Sequence, residues 1–147
     1  MQGDKMKPYK IFTSGKMGGL DLAEQMNWRE ELSYKVNTYF DKYVKFINPP
    51  LYFDYSSPDQ TLAKKWEYEQ IADSDIVVVN LNNIKDSIGT HMELGFIDGI
   101  NRTREKKIYV VGIGEPNVDH PWIETSLFKQ VKTIDEAVDF IISYLLV

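Results

Sequence analysis

The chain has 147 residues, about the length of one average domain, and 43% of them are hydrophobic and 27% charged. Seventeen basic and twenty-two acidic residues give a net charge of −5, which disfavours a polymeric nucleic acid as the ligand. There is no cysteine and no apolar run near the ~20 residues of a membrane span, so we expect a single cytoplasmic domain, residues 1–147, without disulfides, thiolate chemistry or membrane attachment.

Short runs rich in β-branched and aromatic residues predict the strands of a parallel sheet. They cover residues 9–14, 44–48, 75–81 and 107–113, and residues 128–131 form a shorter fifth candidate. The third and fourth runs are almost continuously apolar, as in strands that helices cover on both faces.

The segments between these strands are long enough for crossover helices. The apolar spacing predicts helices over residues 20–43, 59–72, 90–100 and 133–146. Ser57 and Pro58 are typical of the cap and first turn of the second helix, and Thr90 with Glu93 has the spacing of a capping box. The alternation predicts an α/β fold, a flavodoxin- or Rossmann-like three-layer sandwich around a central parallel sheet of four to five strands. In such folds, ligands bind beyond the carboxyl ends of the strands.

A glycine-containing loop, Ser-Gly-Lys-Met-Gly-Gly at 14–19, follows the first predicted strand. Glycines at this place let backbone N–H groups approach an anion. The loop lacks the Gly-Lys-Ser/Thr ending of a P-loop and is not Gly-x-Gly-x-x-Gly. An anion site and a simple turn are therefore both open interpretations.

A second motif, Ser-Ile-Gly-Thr-His-Met-Glu-Leu-Gly at 87–95, follows the third predicted strand. It places the Ser87 and Thr90 hydroxyls, and Gly89 between them, at the start of a helix with Glu93 in its first turn. One interpretation makes Glu93 the reciprocal partner of a Thr90 cap, which stabilises a helix by about 1 kcal/mol. The other makes it a catalytic carboxylate.

Glu67 lies inside the apolar arc of the second predicted helix, between Ala63 and Ile71 on a helical wheel. Partial burial there would raise the pKa of its carboxyl and keep it available as a proton donor, whereas a side chain at the edge of the arc would reach solvent. His91 and His120 have no ligand-like spacing, so we predict no metal site and no cofactor.

Together these motifs resemble the nucleoside 2-deoxyribosyltransferase superfamily, which includes nucleoside 5'-monophosphate N-glycosidases. The resemblance covers most of the chain and rests on residues 10–19, on Glu67 eight residues before Asp75, and on the motif at 87–95. It implies an enzyme that cleaves or transfers the N-glycosidic bond of a (deoxy)nucleoside or its 5'-monophosphate through a covalent glycosyl–glutamate intermediate. A role in nucleotide metabolism such as salvage, and a homo-oligomer, are implied as well.

In that family, the glutamate at the position of Glu93 attacks the anomeric carbon, and the acid at the position of Glu67 protonates the departing base. The substrate-binding positions implied here are Phe12, Ser14, Gly15, Gly18, Gly19, Ser87, Gly89 and Thr90. The family usually has aspartate where Glu67 stands, and a tyrosine that orients the nucleophile where Phe12 stands.

The sequence leaves several substrates and activities open. Serine at position 87 resembles the monophosphate hydrolases, because relatives that act on free nucleosides often have aspartate there, but the neighbouring Asp86 disfavours a phosphate dianion. A non-catalytic nucleotide sensor on the same scaffold and a hydrolase of a larger ribosyl dinucleotide are the alternatives to a transferase or hydrolase of small nucleosides.

Overall fold

A sheet of five parallel strands forms the centre of the protein, and the computed structural model describes residues 7–54 and 59–146. The strands are β1 (Tyr9–Ser14), β2 (Val44–Ile47), β3 (Ile76–Asn80), β4 (Tyr109–Ile113) and β5 (Lys129–Val131). The helices are α1 (Leu22–Tyr39), α2 (Thr61–Ala72), α3 (Ile88–Thr103), α4 (Pro121–Thr125) and α5 (Ile134–Phe140). The spatial order of the strands is β2-β1-β3-β4-β5, and the predicted α/β sandwich is confirmed.

Helices cover both faces of the sheet because its central strands are apolar on both sides. In β3, Ile76 and Val78 belong to the core that packs against α1 and α5, whereas Val77 and Val79 belong to the core that packs against α2 and α3. This alternation explains why the third apolar run in the sequence is continuous.

The strand order reverses between β1 and β3. After β1 the chain adds β2 on one side, and it then crosses back to place β3 and the later strands on the other side. The carboxyl ends of β1 and β3, marked by Ser14 and Asn80, therefore meet at the switch point where open α/β sheets bind ligands.

Several predicted helix ends move in the structure. Helix α1 begins at Leu22, because Asp21 and Glu24 form a capping box there, and it ends at Tyr39. Helix α2 begins at Thr61, two residues later than predicted, and the predicted cap at 57–58 lies outside the described residues. The last helix changes at Phe140 to a π-helical segment, Ile141–Leu145.

The predicted capping box of Thr90 and Glu93 is wrong. A 3-10 turn, Ile84–Asp86, comes directly before the helix, and the helix begins earlier in the sequence than predicted. Ser87 is therefore the N-cap residue, and Thr90 lies inside α3. The hydroxyl oxygens of Ser87 and Thr90 lie 2.6 Å apart, and Glu93 is free to take a partner outside its own helix.

Helix α4 was not predicted. His120 caps it by accepting from the backbone N–H of Trp122, and Pro121 occupies its first position, so a start signal was present in the sequence. In the described ranges of the chain, we find no helix whose length and apolarity would let it cross a membrane.

Candidate active site

A cavity of about 440 Å³ opens at the carboxyl edge of the sheet. Its wall consists of the loop after β1, one face of α2, the chain just before α3 and the first turns of α3. A volume of this size suits a small molecule. Of the predicted site residues, Gly15, Gly18, Glu67, Glu93 and the residues at 87, 89 and 90 line this cavity.

Two buried carboxyl groups face each other in the cavity. Glu67 on α2 is 6% exposed and Glu93 on α3 is 8% exposed, and a hydrogen bond joins their side chains. Helices α2 and α3 pack side by side over the same face of β3, which turns the apolar arc containing Glu67 toward α3. Glu67 is therefore buried, as one of its two interpretations expected.

The pKa of Glu93 is raised well above its usual value. Burial is the largest cause, and the hydrogen bond and negative charge of Glu67 add to it. The Ser14 hydroxyl and the positive charge of Arg29 act in the opposite direction. Two carboxyl groups this close cannot readily both ionise.

Ser14 donates a hydrogen bond to Glu93, with 2.6 Å between its Oγ and Oε1 of the carboxylate. It is the last residue of β1, and its side chain is buried under the carboxylate rather than on the cavity wall. This bond favours the ionised form of Glu93, because a charged acceptor makes the stronger hydrogen bond. The structure thus places Ser14 on the glutamate, whereas the sequence had suggested it as a donor to the substrate.

Phe12 lies one layer below Ser14, because side chains two residues apart on a strand point to the same face. It is fully buried among core residues such as Ile47 and Val77 and does not line the cavity. The structure gives it a packing role, and its predicted contact with substrate has no support. The hydroxyl that donates to the Glu93 carboxyl comes from Ser14.

Gly15 makes a close backbone approach at the end of β1. A Cβ at this position would lie 3.1 Å from Cζ2 of Trp28 and 3.2 Å from Cβ of Asn80. The glycine therefore lets β1 and β3 end close together beside the cavity.

The other two glycines of the loop have different roles. Gly19 has a φ of 80° and is the turn residue between Met17 and Leu20, whose backbone groups are hydrogen-bonded. It does not line the cavity, whereas Gly18 does. The interpretation of a simple turn fits Gly19. Of these two glycines, Gly18 is the one that is placed to meet a ligand.

The N-terminus of α3 forms the polar end of the cavity. The Ser87 and Thr90 hydroxyls bond to each other there, and the Ser87 side chain makes no cap bond to the helix backbone. A Cβ built on Gly89 would meet no atom within 4 Å, so this backbone faces open space. Backbone N–H groups of the first turn and two hydroxyls are suited to polar oxygen atoms of a ligand.

The sequence reasoning missed three groups on the cavity wall, Lys16, Lys64 and Tyr68. The Tyr68 ring stacks on Phe96 with 4.3 Å between ring centroids. Its pKa is raised by burial first and then by the charges of Glu93 and Glu67, which keeps the hydroxyl neutral. Tyr68 directly follows Glu67 in the sequence, and this position was the signal that could have found it.

Arg29 is not among the predicted site residues, although it is fully buried on α1. It lies three residues from both Met26 and Leu32 on the buried face of the helix, so a charged residue at an apolar position was visible in the sequence. In the part of the chain that the structure describes, no group of three or more His, Asp and Glu side chains is placed to hold a metal ion.

Solved structures share this fold. A 2-deoxyribosyltransferase from Bacillus psychrosaccharolyticus superposes with a TM-score of 0.64 at 17% identity, covering 88% of this chain and 90% of that chain. The CMP N-glycosidase BcmB of Clostridium botulinum gives 0.57 at 19% identity, covering 92% and 99%. A conserved protein of Enterococcus faecalis V583 gives 0.62 at 15% identity, covering 90% and 96%.

The chain has the fold of these proteins. Two of the three are a deoxyribosyltransferase and an N-glycosidase, the classes that the sequence motifs resemble. No family model matches the sequence, and a search of curated proteins by sequence finds no significant match. The likeness that these structures show therefore lies in the architecture.

Proposed function

We propose that this protein is an enzyme that cleaves or transfers the N-glycosidic bond of a nucleoside or a nucleoside 5'-monophosphate. The observation that carries the proposal is the hydrogen-bonded pair of buried carboxyl groups, Glu67 and Glu93, in a cavity at the switch point of the sheet. The likeness in fold to a deoxyribosyltransferase and a CMP N-glycosidase supports it.

In the first step, the pair uses its single proton. The reaction starts from the state of the pair in which Glu93 is ionised, which the Ser14 hydroxyl and the charge of Arg29 favour against burial, and one oxygen of Glu93 attacks the anomeric carbon of the sugar. A carbon–oxygen ester bond forms and the carbon–nitrogen bond breaks. The electron pair of the broken bond goes to the base nitrogen, which takes the proton from Glu67, and a glycosyl–glutamate remains.

In the second step, another nucleophile resolves the intermediate. Water attacks the anomeric carbon, gives its proton to the Glu67 carboxylate and releases Glu93, so that the pair regains its starting state. A second nucleobase that attacks with its ring nitrogen and loses its proton to Glu67 gives transfer instead. Hydrolysis and transfer thus share every protein group and differ in the acceptor.

The cavity wall suits a nucleoside with a polar 5' end. The side chains of Met17, Ala63 and Met92 and the Tyr68 ring provide apolar surface for a base or sugar. At the polar end, hydroxyls and backbone N–H groups favour a phosphate, and Lys16 on the cavity wall adds a positive charge. Asp86 also lines the cavity and opposes a dianion, so both forms of the substrate are kept in the test.

A non-catalytic sensor is a poorer explanation of the same site. Binding a nucleotide needs the polar end and the apolar wall, but it does not need two like-charged groups buried together. Such a pair lowers stability, and a pair that persists at this cost is typical of an acid–base site.

The test is a panel of nucleosides and their 5'-monophosphates, incubated with and without an acceptor base and analysed by chromatography. Release of base without acceptor indicates a hydrolase, and exchange only with acceptor indicates a transferase. A cleaved dinucleotide in the same panel would identify the larger substrate. Binding of panel members without any release or exchange would overturn the proposed activity.

Matched variants assign the two carboxyl groups. Glu93→Gln is expected to abolish turnover and the covalent adduct, which intact-mass spectrometry of acid-quenched samples detects. Glu67→Gln is expected to slow the release of ordinary bases and to be rescued by a leaving group that departs without a proton. Glu69→Gln, an exposed position on the same helix, is the control and should leave the rate unchanged.

A further inference from the structure

Arg29 holds the two residues that flank Ser14 on the chain. Its Nε donates to Oγ1 of Thr13 at 3.0 Å, and its Nη2 donates to the carbonyl oxygen of Gly15 at 3.4 Å. Its Nη1 donates to the carbonyl oxygen of Gln25 on its own helix. The planar fork of the guanidinium therefore ties α1 to the end of β1 on both sides of Ser14.

The end of β1 is held from the neighbouring strand as well. The Thr13 hydroxyl donates to Oδ1 of Asn48 at 2.7 Å, just after β2. Because adjacent side chains on a strand point to opposite faces, Thr13 turns toward Arg29 while Ser14 turns toward α3. Fixing Thr13 and Gly15 thus fixes the direction from which Ser14 approaches Glu93.

Arg29 also places a positive charge behind the carboxyl pair. Its side chain is 0% exposed, and its guanidinium carbon lies 4.7 Å from the ring centroid of Trp28. A buried charge acts over a longer distance than an exposed one, because little water screens it. This charge lowers the pKa of Glu93 against the opposing effect of burial.

Other charged and titratable groups also face Glu93. They are Glu67, Tyr68 and Lys64 on α2, and Lys16 and Asp86 in the loops. Lys64 and Asp86 are exposed and Lys16 is partly exposed, so water screens their charges. Arg29 differs from these two lysines because it is fully buried, so little water screens its charge.

We propose that Arg29 is a positioning residue for the N-glycosidic reaction. It fixes Thr13 and Gly15 so that Ser14 donates to Glu93, and its charge favours the state of the pair in which Glu93 is ionised and Glu67 carries the proton. The inference rests on the proposed function, and it extends the site to a side chain on the far side of β1 that does not line the cavity.

Two substitutions separate the charge of Arg29 from its geometry. Arg29→Gln removes the charge, so both limbs of the pH profile of kcat/KM should move to higher pH by about one unit, because the pair loses its protons less readily. Arg29→Lys keeps the charge and loses the fork, so the limbs should stay in place while kcat falls about tenfold. Unmoved limbs in Arg29→Gln, or full kcat in Arg29→Lys, would overturn the corresponding part of the proposal.

Lys10→Met is the matched control. Lys10 is another nearly buried cation on β1, but it lies at the opposite end of the strand and bonds to Gln70 and Asp73. Its loss should lower the melting temperature and leave both limbs in place. If the limbs move as far as in Arg29→Gln, the shift reflects general loosening of the protein, and the proposal fails.

A second readout does not depend on turnover. Protein labelled with ¹³C at the glutamate carboxyl carbons is titrated by NMR, with Glu93→Gln to assign the signal, and Arg29→Gln should raise the apparent pKa of the pair. A wild-type protein that neither releases nor exchanges a base overturns the proposed function, and this titration still tests whether the charge of Arg29 lowers the pKa of the pair. If Arg29→Gln does not fold, Thr13→Val should lower kcat about fivefold with the limbs in place, and unchanged kcat there overturns the positioning role.

Discussion

Oγ of Ser14 lies 2.6 Å from Oε1 of Glu93, so the end of the first strand holds a carboxylate that is 79 positions away in the sequence. The bond stabilises the ionised form of Glu93, which burial and Glu67 oppose. This pairing gives the Glu93 carboxyl a donor from the end of β1.

Ser14→Ala tests that pairing. Removing a hydrogen bond to a charged group should lower kcat about 10- to 100-fold and move the acidic limb of the pH profile upward, because the Glu93 carboxylate loses a donor. The control is Ser74→Ala, a fully buried serine that donates to the carbonyl oxygen of Gln70 at 2.7 Å. Equal losses of kcat in both variants would contradict a specific role for Ser14.

Ser87→Asp tests the polar end of the cavity. A second carboxylate beside Asp86 should lower kcat/KM for a 5'-monophosphate about 10-fold or more relative to the free nucleoside, because like charges repel where little water screens them. Ser143→Asp adds the same charge at an exposed position in the segment after α5, which packs against the other face of the sheet. If the ratio of kcat/KM for the monophosphate to kcat/KM for the nucleoside does not change in Ser87→Asp, the phosphate does not bind at this end of the cavity.

Glu93→Gln should stabilise the protein, and more so at higher pH. The pKa of Glu93 is raised above its usual 4.5, so the folded state keeps a proton that the unfolded chain releases. In the wild type, the retained proton stabilises the folded state fully below about pH 4.5. This contribution is lost as the pH rises through the folded-state pKa of Glu93, at up to about 1.4 kcal/mol per pH unit, and Glu93→Gln does not lose it.

Urea unfolding at about pH 5 and about pH 8 measures this difference. The free energy of unfolding of Glu93→Gln minus that of the wild type should increase between the two conditions. Glu69→Gln, exposed on α2, should show the same pH dependence as the wild type. A constant difference for Glu93→Gln would show that the pair carries no shared proton.

Gly15→Ala should destabilise the protein, whereas Gly18→Ala should not. The added Cβ of the first would lie 3.1 Å from Trp28 and 3.2 Å from Asn80, whose positions are set by the core. Overpacking of this kind costs about 1–3 kcal/mol. The added Cβ of Gly18→Ala would meet no atom within 4 Å, so the two melting temperatures should differ, and equal values would contradict the close approach.

The elements of the fold could be predicted because their signals are local. The continuous apolar run of β3 and the spacing of apolar residues in α1 and α5 depend on neighbours a few positions away. The same local reasoning placed Glu67 in a buried arc. It failed at Thr90, since the spacing of a capping box does not reveal that a 3-10 turn has already placed the helix start at Ser87.

By itself, the sequence determined the order of strands and helices, the two carboxylates and the glycine motifs, because periodicity and spacing are properties of short segments. Only the tertiary structure decided that Ser14 meets Glu93, that Phe12 belongs to the core and that Arg29 lies behind the strand. These relations join residues on β1, α1 and α3, and the crossovers between the strands set their distances. No local pattern along the chain contains that information.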